Sequence, residues 1–557
     1  MKTLVSSRIS ATRAADRPST RLQQAFEEAR LTMKRMFARL AGVAAGVLLA
    51  AALATPPASA ETVLRVGEAD HGDIDPHQGT LFADSILQYN IYDTLVYPAL
   101  DGSGRGIVPH LAERIDVDAT GTLYTVKLKP NVKFHSGNTM SADDVVFSMN
   151  RVLAIKKGYS FLFDGWVEKS TAKDPLTVEF KLTKPYGAFY ASLVRLGIVD
   201  AKTVLANKQA GPHGEFGDYG AAWLLLNSAG TGAYRVVSHE RTVQTELRKF
   251  KDYFLGVGPK APDVVRFRYA MQDLTVVTLF RQGELDLVRP LVQPETKREL
   301  LKISGVTLAP EAGVQSFFLM MNNAKAPFDD PACRRAFAYA VDYESIHSLE
   351  DVTPELRGAK PAKGPLMETH PGFDPSLGEF AKRDLAKAKA ELANCKYKPG
   401  AQRIQIVWMS ANRKTERFAL LLQNNWKDLG FESDIEPRVW AHFTEQVAKP
   451  ETAPMVVPIY VSTPVPDPDS YLFQSYHSSR HGQWAAASYF KDAEVDRLLE
   501  QGRGMPVGPE RTALYQKANQ RIRELQPVIF GLQQVNLIPK RDTFVWPNLE
   551  RPKMNTG

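Results

Sequence analysis

Short stretches of the chain alternate apolar and polar side chains, and longer stretches between them repeat with a helical period. Residues 123–128 (LYTVKL) alternate, which predicts a half-buried strand. Residues 62–67 and 317–321 predict two further strands, the second of them buried. Strands and helices alternate along the whole chain, and this order is typical of an α/β fold.

Capping residues mark where several helices begin or end. Ser141 precedes a run of helical period, and Asp144 three residues later completes a capping box. Asp330 followed by Pro331 predicts another helix start, and Gly283 predicts a helix end. The remaining helical patterns cover residues 415–429, 492–500 and 509–525.

The composition is that of a globular protein, with 557 residues, 44% hydrophobic, 24% charged and two cysteines. These values exclude a disordered chain and a disulfide-stapled scaffold. The net charge of +7 is concentrated at one end, since residues 1–60 hold nine Lys or Arg against three Asp or Glu. The rest of the chain is nearly neutral, so we expect no nucleic-acid partner.

Residues 1–60 have the features of a leader. Lys34, Arg35 and Arg39 precede a run of 14 small or apolar residues at 41–54, and an Ala-Ser-Ala triplet ends at Ala60. This order is typical of a secretory signal peptide, and the run is short for a membrane-spanning helix, which needs about 20 residues. The sequence therefore predicts cleavage after Ala60 and a periplasmic protein.

The two cysteines, Cys333 and Cys395, belong to separate helical patterns. An oxidising compartment permits a disulfide between them. The patterns favour two buried free thiols instead.

Candidate catalytic and metal-binding motifs are sparse. Residues 70–77 (DHGDIDPH) offer five candidate metal ligands, but the favoured interpretation is that they shape a loop. The motifs HExxH, GxSxG and the Walker loop do not occur, and the SxxK match at 170–173 lacks the accompanying KTG or SDN. The sequence therefore predicts no enzyme, cofactor or metal, and a secreted hydrolase is the disfavoured alternative.

Several motifs occur together in a characteristic order. Residues 121–137 (GTLYTVKLKPNVKFHSG) continue into 141–148 (SADDVVFS). They are followed by 230–234 (GTGAY), 281–286 (RQGELD), 326–342 (APFDDPACRRAFAYAVD) and 467–469 (DPD). This ordered set resembles the family 5 extracellular solute-binding proteins, the periplasmic receptors of peptide, oligopeptide and nickel ABC importers.

The resemblance implies a bilobed α/β periplasmic-binding-protein fold, with an inserted domain and two lobes joined by a hinge. It implies a monomer that binds a small solute between its lobes and delivers it to ABC permease subunits in the inner membrane. The implied divisions are lobe I at 61–98, 226–312 and 527–557, the inserted domain II at 99–225, and lobe III at 313–526.

The resemblance also selects candidate ligand-binding residues near the expected cleft. Aromatic walls and hydroxyl groups suit a ligand pocket, although core packing is the alternative for each aromatic residue. Among the aromatic candidates, those at 159–166 follow the helix of the inserted domain and are expected to reach the cleft. The candidates are Phe82, Tyr159, Phe161, Trp166, Trp408, Tyr460, Ser462, Thr463 and Asp467.

One position departs from the peptide-binding pattern. In peptide-binding members, an acidic residue three positions before the Asp-Pro pair binds the α-amino group of the ligand. Pro464 occupies that position here, and proline offers neither a charge nor a side-chain polar group. A peptide or peptide-like ligand therefore stands beside a non-peptide alternative, such as a metal chelate or a sugar.

Overall fold

The computed structural model of the protein describes residues 25, 27–34, 36, 61–68, 72–80, 82–99, 106–289, 292–378, 382–410, 412–463 and 465–545. The chain divides into two compact units, Met1–Glu61 and Thr62–Gly557. The described residues at 25, 27–34 and 36 of the first unit are helical. The predicted apolar run and the cleavage position lie outside the described residues. Within the described part of the chain, no helix is both long enough and apolar enough to span a membrane.

The second unit contains both strands and helices. Its strands are β1 Val63–Gly67, β2 Val96–Pro98, β3 Ile107–Pro109, β4 Ala112–Val117, β5 Leu123–Leu128, β6 Val167–Asp174, β7 Thr177–Leu182, β8 Tyr234–Glu240, β9 Gln244–Lys249, β10 Val264–Arg268, β11 Leu287–Val288, β12 Val306–Met321, β13 Ala359–Pro361, β14 Ile404–Met409, β15 Ser433–Arg438, β16 Val456–Ser462 and β17 Val528–Arg541.

The helices lie between these strands along the chain. They are α1 Phe82–Ile91, α2 Ala142–Ile155, α3 Phe189–Ser192, α4 Ala201–Ala206, α5 Ala221–Leu224, α6 Asp273–Gln282, α7 Pro294–Leu301, α8 Pro331–Ala340, α9 Tyr343–Ser348, α10 Leu385–Asn394, α11 Arg413–Lys427, α12 Trp440–Gln446, α13 Asp469–Tyr476, α14 Ala493–Arg503 and α15 Pro509–Leu525. Short 3-10 helices include Ser160–Leu162, Ser478–Arg480 and Trp484–Ala486.

The local capping predictions are confirmed. The backbone N–H of Ser141 donates to the Asp144 carboxylate over 2.8 Å at the start of α2. Asp330 caps α8, with Pro331 at the first helical position, and Gly283 ends α6 in the left-handed region at a φ of 75°. These capping interactions depend on residues a few positions apart, so the sequence alone predicts them.

The strands form one large mixed sheet and two smaller antiparallel sheets. The large sheet runs β15-β14-β16-β12-β17-β11-β1-β10-β9-β8, with β13 beside β17. Strands β4-β5-β7-β6 make a four-stranded sheet, and β2 pairs with β3. This mixture of helices with parallel and antiparallel strands confirms the predicted α/β class.

The long antiparallel pair β12 and β17 connects two separate cores. Near one end, Ala309 and Ile538 pack in a core with strands β1, β9 and β10. Towards the other end, Phe318 and Phe530 pack in a different core, with α13, α14 and α15. The register of the pair is irregular between Ala312 and Ser316.

The four-stranded sheet has a core of its own, formed mainly by residues 95–198. Val465, which comes from the segment between β16 and α13, is 2% exposed and belongs to the same core. A second contact reaches residues 95–198 from the end of α14, because the backbone N–H of Gly187 donates to the carbonyl of Arg503 over 2.9 Å. A Cβ atom at Gly187 would lie 2.0 Å from the carbonyl oxygen of Met505, so only glycine permits this approach.

The prediction of two free thiols is wrong, because Cys333 and Cys395 form a disulfide. Cys333 lies in the first turn of α8, and Cys395 follows the last residue of α10. The two helices pack against each other, which brings the Cα atoms of the cysteines to 4.9 Å. That distance lies within the range that a disulfide requires.

Candidate functional site

A cavity of about 310 Å³ opens beside the end of β16 and the polar face of α13. Ser462 ends β16, α13 forms one side, and the loop after α13 closes another. Phe161, from the 3-10 helix of the segment after α2, completes the wall and is 45% exposed. The lining residues are Phe161, Val461, Ser462, Ser470, Tyr471, Gln474, Ser475, Arg480, Gln483, Trp484 and Ala485.

The lining combines aromatic surfaces with polar groups, as ligand pockets commonly do. Phe161 and Trp484 offer aromatic surface, and serine and glutamine side chains offer hydrogen bonds. Arg480 is the one charged residue among the described lining residues, and neither Asp nor Glu is present among them. The arrangement favours binding of an uncharged or negatively charged solute.

An ion-pair cluster positions the start of α13. Both oxygens of Asp467 accept hydrogen bonds from Arg511, each over 2.8 Å. Asp469 accepts from Arg503 over 2.8 Å and from the Tyr515 hydroxyl over 3.0 Å. Because both carboxylates are buried and both arginines lie at or after the end of α14, the cluster fixes α13 against α14 and α15.

Asp467 and Thr463 do not line the cavity. Asp467 is 4% exposed, and Arg511 occupies its carboxylate. The hydroxyl of Thr463 donates to the carbonyl of Val465 over 2.5 Å. Both side chains therefore order the segment between β16 and α13, while Pro464 lies outside the described residues.

The predicted aromatic residues at 159–166 point in different directions. Phe161 lines the cavity. The Tyr159 ring lies 4.5 Å from the guanidinium of Arg195, and its hydroxyl donates to the carbonyl of Thr80 over 3.3 Å. Trp166 stacks on another ring, that of Tyr186, with 4.0 Å between their centroids. Neither Tyr159 nor Trp166 is among the lining residues.

The other predicted aromatic residues lie in or beside the core. Trp408 is 8% exposed and packs in the core between β14 and α11. The Tyr460 hydroxyl donates to the Glu350 carboxylate, which also binds Lys414 over 2.8 Å. The side chain of Phe82 lies outside the described residues. Of the nine predicted residues, the cavity thus brings together Phe161 and Ser462.

The loop predicted from residues 70–77 is held by an arginine. Arg151 donates to both oxygens of Asp75, over 2.8 and 2.6 Å, and to Nδ1 of His77 over 2.9 Å. Burial opposes the charge of Asp75, but the Arg151 guanidinium outweighs it and lowers the pKa of Asp75 to about 2. Burial, aided by Arg151, lowers the pKa of His77 to about 3, so the imidazole stays neutral and accepts the hydrogen bond.

That arrangement gives the described part of the loop a structural role. Nε2 of His77 donates to the carbonyl of Gly197 over 2.9 Å, so both ring nitrogens are used. Elsewhere among the described residues, Asp330, Cys333 and Cys395 come close enough to share an ion. Their two sulfur atoms are bonded to each other, so no thiolate ligand is available.

Sequence reasoning missed most of the polar lining. Gln474, Arg480, Gln483 and Trp484 line the cavity and were not among the candidates. Arg480 lies in the segment Ser478-Ser479-Arg480-His481-Gly482, whose composition predicts an exposed loop. The sequence pattern therefore does not indicate that Arg480 lines the cavity.

The chain is similar to known binding proteins over most of its length. It is 27% identical over 484 residues to the probable D,D-dipeptide-binding periplasmic protein DdpA of Escherichia coli (strain K12), covering 85% of this chain and 89% of that protein. It is 28% identical to heme-binding protein A of Haemophilus influenzae (strain ATCC 51907 / DSM 11121 / KW20 / Rd), covering 81% and 84% of the two chains.

A solved structure has the same fold. It is the ABC transporter-associated periplasmic binding protein DppA from Helicobacter pylori in complex with peptide STSA, with a TM-score of 0.72 and 23% identity over 89% of this chain and 97% of that chain. The family description "Bacterial extracellular solute-binding proteins, family 5 Middle" matches residues 106–483, which is more than half of the chain. The protein therefore belongs to the family 5 bacterial extracellular solute-binding proteins.

Proposed function

We propose that the protein is the periplasmic receptor of an ABC importer and binds a small peptide or peptide-like solute in the cavity beside α13. The observation that carries the proposal is a cavity of about 310 Å³ with aromatic and hydrogen-bonding walls in a member of a solute-binding family. The name of the Escherichia coli relative gives D,D-dipeptides as its ligands, which supports a peptide-like ligand.

The proposed division of the chain into lobes and domains is the one that the sequence resemblance implies. Lobe I comprises 61–98, 226–312 and 527–557, domain II comprises 99–225, and lobe III comprises 313–526. The separate core around residues 95–198 supports the division, as do the two cores joined by β12 and β17. These two strands form the hinge, and their irregular register between Ala312 and Ser316 gives the pair a local point for bending.

The receptor breaks no covalent bond. Its useful free energy is the difference in ligand affinity between the closed and open forms. The leader directs export and is removed after Ala60, and the mature monomer presents its closed form to permease subunits in the inner membrane.

A non-peptide solute is the second candidate. The cavity lining includes neither Asp nor Glu among its described residues, so the lining supplies no carboxylate for a free α-amino group. The name of the Haemophilus influenzae relative gives heme as its ligand, which is not a peptide.

Native mass spectrometry of the exported protein tests the proposal. The protein purified without denaturation is expected to carry a discrete added mass that disappears on denaturation. Ligands identified in this way are then added back, and they should raise the melting temperature because they bind the folded state. A protein that carries no solute, and that no peptide, sugar or chelate stabilises, contradicts the proposal.

A further inference from the structure

The walls of the cavity come from two different parts of the chain. Phe161 belongs to proposed domain II, whereas the residues that α13 contributes belong to proposed lobe III. The width of the cavity therefore depends on how closely α13 approaches domain II. A residue that contacts both parts can set that distance without touching the solute.

Arg503 holds α13 by the side that faces away from the cavity. Its guanidinium donates to Asp469 over 2.8 Å and lies 3.1 Å from the centroid of the Phe473 ring. Asp469 and Phe473 are four positions apart, so they share one face of the helix. The residues of α13 that line the cavity fall on the other side of the helix, at positions 470, 471, 474 and 475.

The same guanidinium lies beside two aromatic rings of domain II. Its central carbon is 5.4 Å from the centroid of the Trp166 ring and 5.9 Å from that of the Tyr186 ring. The two rings are stacked, with 14° between their planes. Both distances are within about 6 Å, the range in which a cation is attracted to an aromatic ring.

The rings and the helix belong to separate cores. Trp166 and Tyr186 pack with the core around residues 95–198, whereas Phe473 belongs to the core that contains α14 and α15. The side chain of Arg503 is 17% exposed and lies at the junction of these cores. Its planar, permanently charged group can pair with a carboxylate and stack on aromatic rings at the same time.

We propose that Arg503 is a positioning residue for solute capture, because it draws α13 towards Trp166 and Tyr186 and thereby favours the closed cavity. The inference rests on the proposed function, in which lobe III moves relative to domain II, and it specifies a contact that stabilises the closed form. When α13 moves away, Asp469 carries Arg503 with it and the contact with the rings is lost. A cation beside aromatic rings shifts such an equilibrium by about two- to thirtyfold.

The test measures the distance between domain II and lobe III in the full exported protein. Lys169→Cys and Lys449→Cys are combined in one chain to carry nitroxide labels, since both lysines are exposed. Cys333 and Cys395 are bonded to each other and do not react with the labels. Any bound solute is removed by unfolding in urea and refolding. Pulsed electron paramagnetic resonance then gives the ratio of closed molecules, at the label distance that this structure defines, to open ones.

The variants remove the contact with the rings and keep the buried ion pair. Trp166→Leu leaves Arg503 bound to Asp469, and Trp166→Phe retains an aromatic face. Lys184→Met is the matched control, because the ammonium of Lys184 lies 5.0 Å from the centroid of the same ring but belongs to domain II itself. Arg503→Met removes the guanidinium, and melting temperatures identify any loss of folded protein.

Trp166→Leu should lower the ratio of closed to open molecules by about threefold or more. Trp166→Phe should restore most of the ratio, and Lys184→Met should leave it unchanged. Arg503→Met should lower the ratio at least as far as Trp166→Leu does, and adding Trp166→Leu to it should then have no further effect. A merely structural role of Trp166 would lower the melting temperature equally with and without the guanidinium.

Other outcomes separate this inference from the proposed function. Two populations whose ratio is the same in the wild type and in Trp166→Leu overturn the role of Arg503 and leave the receptor function standing. An effect of Trp166→Leu that persists undiminished in Arg503→Met also overturns it, because the ring would then act without the cation. A single distance in the wild type, before and after the co-purified solute is added back, overturns both this role and the proposed hinge.

Discussion

Replacing Arg151 by methionine tests whether this arginine holds the loop that contains Asp75 and His77. Arg151 donates four hydrogen bonds, to Asp75 over 2.8 and 2.6 Å, to His77 over 2.9 Å and to the carbonyl of Tyr219 over 2.9 Å. The side chains of Arg151 and Asp75 are both fully buried. Removing one member of such a pair leaves an uncompensated charge and typically costs about 3–5 kcal/mol.

Protonation of Asp75 limits the loss of unfolding free energy in Arg151→Met and makes that loss depend on pH. Neutralising a carboxyl group with an unfolded pKa of about 3.9 costs about 4 kcal/mol at pH 7 and about 1.5 kcal/mol at pH 5. In Arg151→Met, burial without the guanidinium raises the folded pKa of Asp75 above its unfolded value. The penalty is therefore full at neutral pH and shrinks as the pH falls towards the unfolded pKa.

Urea unfolding followed by tryptophan fluorescence at pH 7 and pH 5 measures the effect. Arg151→Met should lose about 4 kcal/mol at pH 7 and clearly less at pH 5. The double variant Asp75→Asn/Arg151→Met should show the same deficit at both pH values. Arg497→Met, at an exposed pair, should stay within about 0.5 kcal/mol of the wild type. A deficit for Arg151→Met below about 1 kcal/mol, or one that does not shrink on acidification, refutes the reasoning.

Three other measurements address the buried histidines, the disulfide and the ion-pair cluster. Burial lowers the folded pKa of His77 to about 3 and of His370 to about 4, so the unfolded chain takes up protons first as the pH falls below about 6.5. The urea midpoint should therefore fall over this window, and His370→Gln should flatten its pH profile; an unchanged profile contradicts this. Replacing both cysteines by serine should cost about 4 kcal/mol through loop entropy over the separation of 62 residues, measured by urea unfolding; a double variant as stable as the wild type contradicts this. Asp467→Asn leaves Arg511 buried without its carboxylate and should lower the melting temperature while ligand preference stays unchanged; altered preference with full stability would place Asp467 at the ligand instead.

Local signals in the sequence predicted local structure well. The capping pair of Ser141 and Asp144, the start at Asp330 and the end at Gly283 all involve neighbours within a few residues. The strand predicted at residues 317–321 is the end of a longer strand, Val306–Met321, because pairing with β17 determines its limits. The α/β class follows from the alternation of such elements.

Contacts between distant residues could not be predicted in the same way. The disulfide depends on how α8 and α10 pack, and the partner of Asp467 is Arg511, 44 positions away. The segment 159–166 was expected to face the cleft as a whole, yet Trp166 stacks on Tyr186 while Phe161 turns to the cavity. The 3-10 turn at Ser160–Leu162 changes the direction of successive side chains, and no periodicity in the sequence encodes that change.

Val465 contacts the core around residues 95–198. This contact determines a property of the receptor that does not depend on which ligand is bound. In the proposed mechanism, opening withdraws Val465 from that core, at about 1.5–3 kcal/mol, and breaks the bond from Gly187 to Arg503, at about 1 kcal/mol. This free energy is the same for every solute, so it multiplies all affinities by one common factor. The cavity thus determines which solutes are preferred. Val465, which lies outside the cavity, determines the overall affinity and therefore the lowest solute concentration that the receptor can bind.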